Sequence, residues 1–267
     1  VVLERCRFCI YPGWIVLQFR GESDMLHVVT GANRHLYRPQ LQQMHRQRYE
    51  LFVLGQGWNL QVRDGGEYDE GDDERAVYLL ALNPAGKCRS SIRIRPADDF
   101  SYLIDHMADW VDGDAQALRT DPALWEIARW INREGWVTGQ EIRIGMIEYL
   151  LSRGVTQAIS CPDEQMAIYA ASTGWRLKRL GEPRRYPEGG VAVAISQPVS
   201  AEEVEYLRAR FGRRDPFLIE VPPDAPWAGL PLPVIEREYR MAAASASSNA
   251  ELHAVAHGRL RASGGVR

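Results

Sequence analysis

The apolar positions of this chain fall into short strand-length runs and longer stripes at helical spacing. Met25-Leu26-His27-Val28-Val29-Thr30 is an apolar, strand-like stretch ended by Gly31 and Asn33. Between 39 and 53, Leu41, Met44, Arg48, Leu51 and Phe52 recur at i, i+3, i+7, i+10 and i+11, the spacing of one face of a helix. Val77–Leu82 and Cys88–Arg95 flank the turn Asn83-Pro84-Ala85-Gly86, which predicts an antiparallel hairpin. Leu124–Ile131 reads as a further strand, followed by a helix over Thr138–Ser152, a strand at Thr156–Cys161 and a helix from Pro162 or Asp163 to Ser172. Strands at Trp175–Leu180 and Val191–Ser196 come next. A last helix, Ala201–Phe211, opens with Ser200 three residues ahead of Glu203, a capping-box arrangement. This order predicts a mixed α/β (α+β) fold with a hairpin in its middle.

The ends differ in pattern. Residues 1–24 have no clear period and are expected to be an N-terminal extension, with Met25 a plausible true start. The main domain is expected over 25–215. From 216 to 267 the chain is first proline-rich, which suits an extended segment lying on a surface, and then small and polar (242–250), which reads as a disordered tail. With 267 residues, 45% of them hydrophobic, one sizeable core is expected.

Net charge narrows the partners. At −3, with no basic stripe to displace counterions from phosphates, nucleic acid is not expected. No run reaches the roughly 18 apolar residues of a membrane span. Residues 10–19 are broken by Pro12 and Gly13 and lack a small-residue cleavage site, so a cytoplasmic location is expected. The four cysteines, at 6, 9, 88 and 161, fit a reducing compartment. Cys6 and Cys9 have redox or zinc spacing but no second pair, and no metal is expected.

The candidate chemistry begins with Arg48. A guanidinium on an apolar helix face must be paired, because removing it from water costs several kcal/mol. The segment from Asp64 to Glu74 offers seven carboxylates, interleaved with Gly65, Gly66 and Gly71. They read either as a solvated acidic loop or as a set of which a few point inward to Arg48 and a cationic substrate; calcium-loop spacing is not met. Ser91, Arg93 and Arg95 alternate with Ile92 and Ile94, so one strand face is apolar and the other basic, and Arg95 is expected to sit in water. In Leu124–Ile131, Glu126 and Arg129 stand among apolar neighbours and are expected to be buried, as a structural ion pair or as catalytic groups. Strict alternation puts them on opposite faces, so sharing a site requires a bulge or splay.

Taken in order, these residues resemble the acyl-homoserine-lactone synthases, the LuxI-type autoinducer synthases. Arg48 and Phe52 give R-x3-F, Trp58 follows by six, Asp69 and Asp72 give D-x2-D, Arg93 lies in SSIRIRP, and Glu126 with Arg129 gives WEIAR. The resemblance runs from about Met25 to Arg210. It implies a GCN5-related N-acetyltransferase-like fold, a twisted mixed sheet flanked by helices. It also implies acyl transfer from a thioester of acyl carrier protein or coenzyme A to the amine of S-adenosyl-L-methionine. Lactone closure would then release methylthioadenosine and an N-acyl-homoserine lactone, a quorum-sensing signal. No tightly bound cofactor is implied.

On that resemblance, Glu126 is the expected base, with Asp69 and Arg129 also catalytic. Arg48, Phe52, Trp58, Asp69, Asp72, Arg93 and Arg129 are expected to bind S-adenosylmethionine, the two aromatics stacking on adenine, facing the sulfonium or simply closing the core. Ser160 or Cys161 lies where the family places a small hydroxylated residue. Met146, Tyr149, Leu150 and Trp175 are expected either to wall the acyl pocket, favouring a short, branched or aromatic acyl group, or to pack the core. The phosphopantetheine loop of many acetyltransferases is not intact at Arg133-Glu134-Gly135-Trp136. A basic patch of Arg176, Lys178, Arg179, Arg184 and Arg185 offers either a dock for the acyl donor or a solvated face.

Overall fold

A computed structural model describes residues 25–133, 136–212 and 218–245. The expectations for 1–24, Cys6 and Cys9, and the tail beyond 245 lie outside these residues.

The chain forms β1 (Leu26–Val29), α1 (Arg38–Arg48), β2 (Val62–Arg63), β3 (Gly66–Glu67), β4 (Val77–Leu82), β5 (Cys88–Pro96), α2 (Tyr102–His106) and β6 (Leu124–Asn132). It continues through α3 (Trp136–Ser152), β7 (Gln157–Ser160), α4 (Glu164–Ser172), β8 (Lys178–Arg179), β9 (Arg184–Arg185), β10 (Val191–Ala192), β11 (Ile195–Pro198), α5 (Ala201–Phe211), β12 (Leu218–Ile219) and α6 (Leu232–Ser245). Eight strands make one mixed sheet in the order β12-β1-β4-β5-β6-β7-β11-β8, parallel at β12–β1 and β6–β7 and antiparallel elsewhere. Every residue of β4 is buried, as a central strand covered on both faces must be. The expected mixed sheet flanked by helices is present. Among the described residues no helix is long and apolar enough to cross a membrane.

The predicted elements are recovered with local differences. The helix carrying Arg48 is α-helical only to Arg48 and widens into a π-helical stretch over Tyr49–Gly55. Of Trp175–Leu180 only Lys178 and Arg179 are in a strand. Val191–Ser196 is divided: β10 pairs with β9 in a separate ribbon, whereas β11 enters the main sheet. At α5 the Ser200 side chain accepts from the Glu203 N–H, but the Glu203 carboxylate does not complete the box; it is buried and faces Arg143.

The proline-rich segment is not an extended surface strip. Leu218–Ile219 adds a parallel edge to β1, and α6 buries Ile235 and Tyr239, four residues apart, in the main core. Pro231 and Pro233 stand at the start of this helix, where a missing N–H costs nothing. The buried His27 ties it down, its Nε2 lying 3.1 Å from Glu236 Oε1.

Two main apolar clusters pack the domain. The larger joins β1, β4 and β5 to α3, α5 and α6, and the second gathers Leu103, Ile104, Leu124, Ile159 and Ala194. Between Ser91 and Arg93 the β5–β6 register shifts, so that Ile92 opposes both Arg129 and Trp130. This is the bulge that Glu126 and Arg129 required, and Arg129 itself takes φ of +54°, a conformation unfavourable for a long side chain.

Candidate active site

Three guanidiniums and three carboxylates meet in one buried network. The last turn of α1 delivers Arg48, which is 0% exposed. Its Nε donates to Glu67 Oε2 at 2.5 Å, and Nη1 and Nη2 donate to the two oxygens of Asp72 at 2.7 and 2.8 Å. From β5, Arg93 donates to both oxygens of Asp69 and, at 3.0 Å, to Asp72 Oδ1. The bulge on β6 turns Arg129 toward the same group, its Nε donating to Glu67 Oε1 at 3.1 Å and Nη2 standing 2.6 Å from Asp69 Oδ2. Charges balance, which is what allows the set to be buried.

The loop is shaped around these contacts. The Asp69 and Gly71 backbone N–H groups donate to Asp72 and Asp69 carboxylates, and the Tyr78 hydroxyl donates to Asp72 at 2.9 Å. A Cβ on Gly71 would lie 2.8 Å from Arg93 Nη2, so a glycine is required for the guanidinium to approach. Burial raises the Asp69 carboxyl, but Arg93 and Arg129 outweigh it and hold it below the usual carboxylate range. Asp72 is lowered in the same way, burial being overcome by Arg48 and Arg93. Burial and the neighbouring Arg48 lower His45 to about 4, leaving a neutral imidazole stacked on Tyr68.

Only part of the network reaches open space. A cavity of about 240 Å³ is lined by Asp69, Glu70, Arg129, Asn59, Tyr68, and by Tyr102 and His106 of α2. Arg48, Asp72 and Arg93 lie behind that wall. Phe52 and Trp58 stack on each other, with centroids 5.1 Å apart and planes 6° from parallel, and Arg129 lies 5.9 Å from the Phe52 ring.

Glu126 is buried, as expected, but its surroundings differ from those of a free base. Its carboxylate accepts from the Ser101 hydroxyl at 3.0 Å and from the Tyr102 and Leu103 N–H groups at 2.8 and 2.7 Å. It therefore anchors the start of α2, whose Tyr102 ring stands 5.1 Å from the Arg129 guanidinium. Nor is Arg95 in water. It is 1% exposed and donates to Asp73, Asp99 and the Phe100 carbonyl, because the acidic loop and the segment after β5 fold over this strand face.

The acyl-pocket candidates fall in separate places. Trp175 lines a second, smaller cavity with Trp130, Gln140, Arg143, Met166, Tyr169, Ala170 and Thr173. Met146, Tyr149 and Leu150 are packed in the main core. Ser160 ends β7, and Cys161, its thiol pushed up to about 12 by burial and the Glu126 charge, packs against the second apolar cluster. In the basic patch, Arg176, Arg179 and Arg184 pair with Glu202, Glu164 and Asp109, so its charge is partly neutralised.

Sequence reasoning missed Glu67, which is fully buried and bridges Arg48 to Arg129. The signal available was charge: three buried arginines cannot be balanced by Asp69 and Asp72 alone. It also missed Tyr102 and His106, whose short helix has no apolar period.

Residues 33–207 match the family described as Autoinducer synthase. The chain is similar to the isovaleryl-homoserine lactone synthase of Bradyrhizobium diazoefficiens, 27% identical over 195 residues, covering 70% of this chain and 86% of that protein. It is also similar to an acyl-homoserine-lactone synthase of Rhizobium etli, 27% identical over 198 residues, covering 71% and 91%. Among solved structures, the CoA-dependent acyl-homoserine lactone synthase BjaI with SAM and isopentyl-CoA superposes with a TM-score of 0.67 at 25% identity, covering 74% of this chain and 93% of that one.

Proposed function

The chain belongs to the autoinducer synthase family and is an acyl-homoserine-lactone synthase; from that premise we propose how its site divides the work. The observation that carries the reading is the cavity wall, where the Asp69 carboxylate and the Arg129 guanidinium stand side by side. That pair is complementary to the ammonium and carboxylate of the methionyl end of S-adenosyl-L-methionine. Arg48, Asp72, Arg93 and Glu67 hold the pair in place from behind, and Phe52 and Trp58 offer their stacked rings to the sulfonium or adenine.

The amine nitrogen attacks the thioester carbonyl, the acyl C–S bond breaks, and the thiol leaves. An α-amine with a pKa near 8 is already roughly a tenth free base at neutral pH. Its remaining proton need only reach a water in the cavity, which Asp69, held below the usual carboxylate range by Arg93 and Arg129, orients by accepting a hydrogen bond. The methionyl carboxylate then attacks the carbon bound to the sulfonium, breaking that C–S bond. Both departing products, the lactone and methylthioadenosine, lack the cosubstrate's carboxylate and sulfonium charges, so a charged wall favours their release.

Glu126 acts in this scheme as a positioning residue: by fixing α2 it sets Tyr102 and His106 on the cavity wall. For the donor, a coenzyme A thioester is favoured over acyl carrier protein, since BjaI is described as CoA-dependent. Both substrates place the reaction in the cytoplasm. The test is mass spectrometry of products from purified protein, S-adenosylmethionine and matched acyl-CoA or acyl carrier protein thioesters. Lactone formed faster from the CoA donor supports the assignment; lactone only from the carrier protein reverses the donor, and none from either removes the function.

A further inference from the structure

The second cavity contains a cation that the ionic network does not use. Arg143, on α3, is 2% exposed. One of its nitrogens, Nη1, donates to Thr173 Oγ1 at 2.9 Å, and the guanidinium lies 4.2 Å from the Trp175 ring centre. Glu203 supplies an opposite charge from α5, but at 3.8 Å from Nη2 it is beyond hydrogen-bond reach. Nε and Nη2 therefore have no acceptor, although both are buried. Burial depresses this guanidinium to about 10, against the opposing pull of Glu203.

Two more unpartnered atoms belong to residues lining the same cavity. Gln140 Oε1, an acceptor, and Trp130 Nε1, a donor, are buried without partners, while Tyr169 hydrogen-bonds the Gln140 side chain and orients it. Unsatisfied buried polar atoms are costly, more so where charge is involved, so a site that gathers several of them is built to receive a polar group. The cavity measures about 20 Å³, room for one water-sized group, and Met166, 41% exposed and unbranched, closes part of its wall.

Its position relates it to the reaction. Strands β6 and β7 pair only over Leu124–Glu126, then part, and the cavity opens beside Trp130 past that point. Trp130 follows Arg129 directly, so their Cα atoms are about 3.8 Å apart, with Arg129 at the ionic cavity and Trp130 at the second one. The gap where β6 parts from β7 is the route by which an acyl chain, its carbonyl at the amine beside Arg129, would come to this second cavity.

We propose that Arg143 and Gln140 read a hydroxyl group on the acyl chain of the thioester donor. A hydroxyl matches the orphaned atoms in both directions, its oxygen accepting from Arg143 and its proton going to Gln140 Oε1. A carbonyl would satisfy only the donors, and a plain alkyl or aryl group would leave all of them unpaired. The inference rests on the synthase reading.

The test compares kcat/KM for pairs of acyl-CoA thioesters of equal length, unsubstituted or hydroxylated at successive positions, with the lactone quantified by mass spectrometry. The protein is expected to prefer at least one hydroxylated donor by roughly 10- to 100-fold, the range of a charge-assisted hydrogen bond. In Arg143→Met and in Gln140→Leu that ratio is expected to fall toward one, and Gln140→Leu carries the test if Arg143→Met does not fold. Ratios within twofold for every pair, or a preference that survives both substitutions, overturn the proposal and leave the synthase reading intact. Failure of every donor to give lactone overturns both.

Discussion

Arg48→Met is the sharpest perturbation of the ionic network. Methionine fills much of the volume but removes three hydrogen bonds and one of three positive charges, leaving Glu67, Asp69 and Asp72 with only Arg93 and Arg129. Asp72 keeps Arg93, the Tyr78 hydroxyl and the Asp69 N–H, and Glu67 keeps Arg129, so the cost is that of one uncompensated buried charge, about 3–5 kcal/mol. The loss has a pH signature. In the intact protein the lowered Asp72 contributes stability that is full above the unfolded carboxylate range, near 4, and lost as pH falls through its folded value. Without Arg48 the buried carboxylate takes up a proton more readily, so the gap between variant and parent narrows on acidification. Urea unfolding followed by tryptophan fluorescence at pH 7.5 and 5 measures both quantities. Adding Asp72→Asn to the variant restores charge balance and is expected to recover more than about 1 kcal/mol. A single-variant loss below about 1 kcal/mol at pH 7.5, or no recovery in the double variant, would show that Arg48 does not compensate these buried carboxylates.

Other substitutions separate the remaining roles. Gly71→Ala should displace the Arg93 guanidinium, lowering stability by about 1–3 kcal/mol and weakening S-adenosylmethionine binding in calorimetry; unchanged melting and affinity would remove the contact from the argument. His45, held at about 4 against an unfolded 6.5, is neutral when folded, so stability should be lost as pH falls from 6.5 toward 4, by about 3 kcal/mol in all. His45→Gln should flatten that part of the pH–stability curve, and an unaltered slope would exclude it as the source. Glu126→Gln turns an amide N–H₂ toward groups that all donate, so melting temperature should drop by the equivalent of about 1–3 kcal/mol, with KM rising. A fall in kcat of ~10²-fold at unchanged melting would instead restore Glu126 as the base.

Much of the architecture could be read from periodicity because its elements are long or sharply bounded. The β4–β5 hairpin is marked by Asn83-Pro84-Ala85-Gly86, and α5 by Ser200 at its cap. What escaped depends on tertiary pairing. Leu218–Ile219 is a strand only because β1 offers it an edge, and α6 begins among prolines that, taken alone, argue against a helix. Arg95 alternates with isoleucines just as a solvated strand residue would, and its burial comes from Asp73 and Asp99 closing over it.

The site shows the same division. Arg48's place on an apolar stripe announced a buried cation and an acidic partner in the Asp64–Glu74 segment, and the Glu126–Arg129 spacing announced a bulge. Which carboxylates turn inward was not legible, because seven acids in a glycine-rich loop have no period. The loop places Glu67 and Asp72 on Arg48 and Asp69 at the cavity, a choice made by backbone turns and by the glycine at 71. For Glu126, sequence could locate a buried carboxylate but not the three donors from the start of α2.

The claim that the Asp69–Arg129 wall receives the amino-acid end of the cosubstrate is tested most directly by a crystal structure of the protein with S-adenosylmethionine bound. The amine is expected within about 3 Å of the Asp69 carboxylate and the methionyl carboxylate on Arg129. A bound cosubstrate that touches neither residue would contradict it.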